Sequence, residues 1–276
     1  MQKFIFTRED DIHTLLSFIA RKLTVSKKKA KQLLDERLVF VNKRRVWVAS
    51  YKLRKGDVIE ILTKKTTLQK FQKKAILYKD NHYLIVSKPP GIITNGPKSL
   101  ESNLRGYFRD DHIQAVHRLD KDTSGAVIFA MNRDAFDRMK ELFKKTLMEK
   151  VYRVIVRYSV SKKTFTIDTP IHGQKAVTHV KLLKRGKDAS YLEVNTETGR
   201  KHQIRIHLAS AGHPVIGEAE YDRRPVEYPL LRRIQRQMLH AYQISFTHPY
   251  TQKIVSVVAE IPDDFNRCLK TLGLVE

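Results

Sequence analysis

His117-Arg118-Leu119-Asp120-Lys121-Asp122-Thr123-Ser124-Gly125 runs directly into Ala126-Val127-Ile128-Phe129-Ala130-Met131. The second stretch has the length and β-branched content of a fully buried strand, and Asp122 to Gly125 carry turn chemistry. Asp120 is therefore expected to project from a loop pinned to a rigid core, the support that a reacting carboxylate requires. Asp in a turn also satisfies local backbone donors, so a structural role stays open at this point.

Strands and helices mix on either side of this stretch. Ile76-Leu77-Tyr78 and Tyr83-Leu84-Ile85-Val86 suggest a hairpin across Asp80-Asn81, and Lys88-Pro89-Pro90-Gly91 must be a loop, since neither proline can donate to a ladder. A helix is expected over Arg133–Met148, with Asn132 as cap and Phe136, Met139, Phe143 and Leu147 on one buried face. Val151–Tyr158 and Tyr191–Val194 read as strands, and Tyr158 and Tyr191 as core. A short helix should end near Ala211, with Ile204, Leu208 and Ala211 inward and Gly212 at C′.

Charge is unevenly spread. The 276 residues hold 53 Lys plus Arg against 29 Asp plus Glu, a net +24, of which +13 falls in residues 1–75. There, Ile12, Leu15, Leu16, Ile19 and Ala20 form a helical stripe over Asp11–Leu23. A second helix should start at the N-cap Ser26, with Ala30, Leu33, Leu34 and Leu38 inward and Lys27, Lys28 and Lys31 facing solvent. Val39-Phe40-Val41 and Val46-Trp47-Val48 flank Asn42-Lys43-Arg44-Arg45, a hairpin with a basic tip, and a last strand is expected at Asp57–Leu62. Lys-, Thr- and Gln-rich residues 63–74 contain a linker, placed at 66–74, between a domain at 1–65 and one at 75–276.

A chain this long buries a substantial core, and its basic excess calls for a polyanionic partner, nucleic acid first. An anionic membrane is the rival, but no apolar stretch reaches about 18 residues. Charges at Arg8-Glu9-Asp10-Asp11 interrupt any signal-peptide core, which implies a cytoplasmic location. The single cysteine, Cys268, excludes an internal disulfide and a cysteine-rich zinc cluster. His202, His207 and His213 match no strong metal motif. No phosphate-cradling Gly-rich loop or dinucleotide fingerprint is present, so neither metal nor cofactor is expected.

The segment His117–Gly125 resembles the signature of the RluA-type pseudouridine synthases. Further family-like segments stand in the family's order along the chain, Lys88-Pro89-Pro90-Gly91 before it and Lys150-Val151-Tyr152, Thr198–His207, Gly212-His213-Pro214, Leu239-His240-Ala241 and His248-Pro249 after it, so that the resemblance covers about residues 75–265. The N-terminal helices and hairpin resemble the small RNA-binding domain named after ribosomal protein S-four, with Asn42-Lys43 where that domain usually has Asn-Gly. The fold implied is α+β: a mixed, mainly antiparallel catalytic sheet with flanking helices at 75–276, preceded by a small α/β RNA-binding domain.

The resemblance implies conversion of uridine to pseudouridine without a cofactor, most readily in large-subunit ribosomal RNA. It implies Asp120 as nucleophile or base, Arg205 as its ion-pair partner, and Tyr152 as a ring that stacks on the uracil and relays its C5 proton. His117, Arg118, Ile204 and Arg200 would bind substrate, with Lys27, Lys28, Lys31, Lys43, Arg44 and Arg45 on RNA. Lys88, His240 and His248 are read as framework or backbone contacts. The partner expected is RNA, ribosomal or transfer, met by a monomer away from membranes. Rival readings are a non-catalytic RNA-binding assembly factor, a glycosidase pair in Asp120 and Asp122, and a triad of His117 and Ser124. Carboxylates two apart in one loop hardly flank a bond from opposite faces, and Ser124 lacks the glycines of a nucleophile elbow.

Overall fold

The computed structural model describes all residues except 8, 9, 11–13, 63–71, 223 and 276. Ile12 of the expected helical stripe and most of the expected linker lie outside the described residues. The chain divides into two compact units, one of Met1–Leu68 with Ala219–Gln235 and one of Gln69–Glu218 with Arg236–Glu276.

In the first unit, β1 (Gln2–Ile5), α1 (Leu15–Lys22), α2 (Lys27–Asp35), β2 (Val39–Val41), β3 (Arg44–Arg45) and β4 (Val58–Ile61) form a sheet of order β1-β4-β2-β3 beneath two helices. The sequence stripe omitted Phe18, which is buried with Leu15, Ile19, Ala30, Leu34 and Ile59. Strand β1 was also not expected; it pairs antiparallel with β4. Ser26 caps α2, its hydroxyl accepting from Lys29 N–H at 3.2 Å.

The hairpin turn is two residues rather than four. Asn42 and Lys43 have φ of +48° and +66°, the primed turn that matches strand twist, so Arg44 and Arg45 enter the strand. The sheet's other face carries Leu38, Phe40 and Leu62, against which Val226 of the 219–235 segment packs. Buried Arg232 from that segment donates to Glu60 at 3.1 Å. Residues 219–235 thus group with the N-terminal unit despite their late position in the chain.

The second unit is built on β5 (Ile76–Lys79), β6 (Tyr83–Lys88), α3 (Leu100–Phe108), β7 (Gln114–Ala115), β8 (Ser124–Ala130), α4 (Arg133–Lys144), β9 (Met148–Arg157), β10 (Thr164–Ile167), β11 (Thr178–Arg185), β12 (Ala189–Thr196), α5 (Gln203–Ser210), β13 (Leu239–Thr247), β14 (Ile254–Val258) and, after the short α6 (Pro229–Arg232) of the first unit, α7 (Asp263–Thr271). Its sheet runs β10-β11-β12-β9-β13-β8-β6-β5, with β14 on β13 and β7 on β8. All its pairings are antiparallel except β8 with β13. Every residue of β8 is buried, as its apolar run demands.

Two expectations for this unit fail at helix ends. Helix α4 stops at Lys144, because Thr146 takes a left-handed φ of +55° before β9 begins at Met148. Leu147 is consequently 59% exposed instead of buried. Ala211 is likewise exposed, the C-cap of α5 ahead of Gly212 at φ +88°. Tyr158 is not core either; it leaves the end of β9 with φ +69° and is 38% exposed.

Candidate active site

The strand order brings the site together. Ser124 and Gly125 at the start of β8 pair with His240 and Ala241 of β13, and Ala241 pairs with Tyr152 of β9, itself opposite Val194 of β12. The loop that ends at β8 carries Asp120, and α5 follows β12 with Ile204 and Arg205. Gly125 is needed for close approach rather than for a turn. At φ +117°, a Cβ there would sit 2.2 Å from the Ala241 carbonyl oxygen.

Lys88 holds the loop from below. Its buried ammonium donates to the carbonyls of Pro89, Ile92 and Lys121 at 3.1, 2.8 and 2.9 Å. Burial lowers its pKa to about 7, against the pull of nearby Asp122. Thr94 Oγ1 donates to Leu119 O at 3.0 Å, and Arg236 donates to Asp122 O at 3.2 Å. His240 spans Ser124 Oγ at 2.9 Å and Ala259 O at 3.0 Å, while His248 Nε2 meets Asp80 at 2.8 Å.

Arg118, Leu119, Asp120, Thr123, Tyr152, Thr196, Thr198, Gly199, Arg200, His202, Gln203, Ile204, Arg205 and Leu239 line a cleft of about 110 Å³. Arg205 Nη1 donates to Asp120 Oδ2 at 3.1 Å, and the carboxylate remains 22% exposed while the guanidinium is 6% exposed. Burial opposes the charge on Arg205, but Glu218 and then Asp120 outweigh it and raise its pKa. Burial chiefly, with the Asp120 charge adding to it, pushes the Tyr152 hydroxyl up to about 12, so it stays protonated at neutral pH. Ile204 is buried beside it, Arg118 is exposed, and exposed Arg200 donates to Lys175 O at 3.0 Å.

One expected substrate-binding residue is turned away. His117 Nε2 accepts the Ile128 N–H at 3.1 Å, and its ring lies 4.9 Å from Phe143. Burial, helped by Lys150 and Lys140, lowers its pKa to about 3. It therefore braces the loop on β8 as a neutral ring and does not line the cleft. The same geometry removes a His117–Ser124 triad, since buried Ser124 faces His240 instead.

Two residues of the site were not singled out from sequence. His202, at a left-handed φ of +56° before α5, places Nε2 3.5 Å from Asp120 Oδ1. Glu218 meets Arg205 twice, accepting from Nε at 2.8 Å and Nη2 at 2.7 Å. His202 lies inside the recognised segment Thr198–His207, but Glu218 lies 13 residues beyond Arg205 and had no local signal. His207, the other member of that histidine group near the site, is buried between Thr178 Oγ1 and Thr169 O, at 2.9 Å from each. Among the described residues no group of three or more His, Cys, Asp or Glu could hold a metal ion.

On the first unit, Lys27, Lys28, Lys31 and Arg44 are exposed. Lys31 pairs with Asp35 and Lys43 with Glu227. Arg45 is partly committed to the fold: it donates to Arg37 O at 2.9 Å and covers the Phe40 ring at 4.7 Å. Among the described residues no helix is long and apolar enough to cross a membrane.

Known proteins match both units. The RNA pseudouridylate synthase family model matches residues 82–210, and the S4 domain model matches residues 14–59. An uncharacterized RNA pseudouridine synthase of Bacillus subtilis (strain 168), YhcT, is 30% identical over 298 aligned residues, 98% of this chain and 96% of that protein. Ribosomal large subunit pseudouridine synthase C of Escherichia coli O157:H7 is 30% identical over 279 residues, 87% of this chain and 86% of the relative. The solved structure of human RNA pseudouridylate synthase domain containing 4 shares the fold with a TM-score of 0.63 at 22% identity, covering 72% of this chain and 93% of that one. Fold, cleft and matches together define an RNA-modifying isomerase with an appended RNA-binding domain. The chain belongs to the RNA pseudouridine synthase family, in its RluA group.

Proposed function

We propose that this enzyme acts on uridine in large-subunit ribosomal RNA, with Asp120 as the reacting carboxylate. The isomerisation breaks the bond from ribose C1′ to N1, turns the uracil and joins C5 to C1′. C5 gives up a proton and N1 takes one up, so no redox partner is needed. Asp120 either adds to the sugar or base, as a nucleophile, or removes a ribose proton, as a base. Arg205 holds the carboxylate in place through its 3.1 Å contact, a charge-assisted hydrogen bond.

To reach Asp120 in the cleft, the uridine must leave its stack before it reacts. Tyr152 and Ile204 would take the two faces of the base, with Arg118 filling the vacated place and Arg200 on a phosphate. Because the Tyr152 hydroxyl stays protonated, it relays a proton by donating its own as it accepts that of C5. The exposed lysines of α2, with Lys43, Arg44 and Arg45 on the hairpin, would meet RNA phosphates. The ribosomal target rests on the names of relatives such as the Escherichia coli enzyme. The basic composition fits a protein that works on RNA.

The single observation that carries the reading is the 3.1 Å contact of Arg205 with Asp120 in a cleft lined by Tyr152 and Ile204. The test is Asp120→Ala, with pseudouridine mapped in ribosomal and transfer RNA of cells carrying wild type, variant or neither. The modification should vanish from one ribosomal site, while RNA affinity of the purified variant changes by less than about threefold, well below the tenfold that 1.4 kcal/mol represents. Product made by the variant would remove Asp120 from the chemistry, and a site lost only from transfer RNA would move the target.

A further inference from the structure

Arg205 has all three of its guanidinium nitrogens in use, and only one of them meets Asp120. Glu218, whose side chain is fully buried, takes Nε and Nη2 as a side-on pair at 2.8 and 2.7 Å, leaving Nη1 for Asp120 Oδ2 at 3.1 Å. A guanidinium is planar and rigid, so clamping one edge fixes where the remaining N–H bonds aim.

Glu218 is itself firmly placed. Its N–H donates to Val215 O at 3.0 Å, the preceding Ile216 N–H donates to Ile155 O of β9 at 2.8 Å, and Met238 N–H donates to Ile216 O at 2.8 Å. Pro214 O accepts from Arg157 N–H at 2.8 Å, so residues 214–218 run along the end of the strand that carries Tyr152.

Without Glu218, the Nε–Nη2 edge of Arg205 is released and can turn to Asp120 as a two-point fork, which would occupy both Asp120 oxygens. That contact would hold the carboxylate more tightly and take away the oxygen it needs for substrate. With Glu218 in place, two carboxylates share one guanidinium, and Asp120 Oδ1 is left on the cleft side, 3.5 Å from His202 Nε2.

We propose that Glu218 is a positioning residue that occupies the side edge of Arg205, limits Arg205 to one contact with Asp120, and so leaves the second Asp120 oxygen open to the uridine. The proposal rests on the reading of Asp120 as the reacting carboxylate.

The experiment uses the full chain with Glu218→Gln, and Asp120→Asn in parallel. The substrate is total RNA from cells lacking the gene, assayed under single turnover with a separate measurement of RNA affinity. Glutamine keeps the shape but offers one acceptor in place of two and no charge. Glu218→Gln is expected to bind RNA within about twofold of wild type and to lose about 100-fold in rate, the scale of removing one fixed electrostatic contact at a reacting centre. Glu218→Asp keeps the charge but draws it back by one methylene, and should recover about tenfold of that loss, a rescue that a packing role would not give. Should Glu218→Gln not fold, Glu218→Asp decides, with about tenfold slower turnover at unchanged affinity expected. A wild-type rate in the variant that folds, or losses shared equally by rate and affinity, overturns the proposal. An active Asp120→Asn would instead sink the reading beneath it, whereas an inactive Asp120→Asn beside an unaffected Glu218→Gln sinks only the role of Glu218.

Discussion

Lowering the pH from 7 to 5 should destabilise this protein through His117 and His240. His117 accepts the Ile128 N–H on Nε2, so protonating that ring breaks a bond, while His240 is buried with both ring nitrogens engaged, so charging it carries the cost of burial. Burial, ahead of nearby charges, lowers the His117 pKa to about 3 and the His240 pKa to about 4. The unfolded value is about 6.5, so below it the unfolded chain binds protons that the native state refuses. The stabilisation is therefore complete above pH 6.5 and is lost progressively as pH falls towards 3 to 4. From pH 7 to 5 the loss is about 2 kcal/mol per ring at 1.4 kcal/mol per pKa unit, about 4 kcal/mol together as an upper figure. That is a large part of a typical 5–15 kcal/mol. The carboxylates of Asp10, Asp80 and Asp264, all lowered from 3.8, titrate below this window. Lys88, at about 7 against 10.5 unfolded, makes stability rise between those values and adds little slope below pH 7. Urea unfolding of wild type and His117→Gln at both pH values checks the reasoning, since glutamine can still accept the Ile128 N–H but does not titrate. The variant should lose about half as much stability as wild type, or about 2 kcal/mol less. Equal losses in the two proteins would refute the account of His117.

Gly125→Ala should destabilise by at least about 3 kcal/mol in urea unfolding, combining backbone strain at φ +117° with a 2.2 Å clash that must separate β8 from β13; a change below 1 kcal/mol would mean the strands tolerate that separation. Tyr152→Phe should keep RNA affinity yet fail late in the reaction, and normal turnover would show the hydroxyl to be dispensable. Replacing Lys27, Lys28 and Lys31 together by Ala should reduce the slope of log affinity against log salt by about 2 to 3, and an unchanged slope would mean that α2 does not touch phosphate.

Much of this molecule is readable along the chain because its signals are local. The buried run of β8, the Ser26 and Asn132 caps and Gly212 after α5 each follow from neighbours within a few residues, and the structure bears them out. Failures cluster where one residue's backbone angle decides the outcome. Thr146 ends α4 and turns Leu147 outward, and Lys43 tightens the hairpin beside Asn42 by accepting a left-handed φ that a lysine does not advertise.

The resemblance put Asp120, Tyr152 and Arg205 in one site, and their sequence separation hides nothing once a sheet joins β8, β13 and β9. Sequence alone determined the chemical vocabulary: an acid ahead of a buried strand, a basic surface, and arginines enough to pair with either. Tertiary structure alone decided which ring nitrogen of His117 is already spent, that Glu218 completes the charge arrangement around Arg205, and that residues 219–235 pack with the N-terminal sheet. The physical reason is that hydrogen-bond partnership and burial belong to positions in space. A histidine or glutamate reads the same in the chain whether it faces a substrate or a backbone amide.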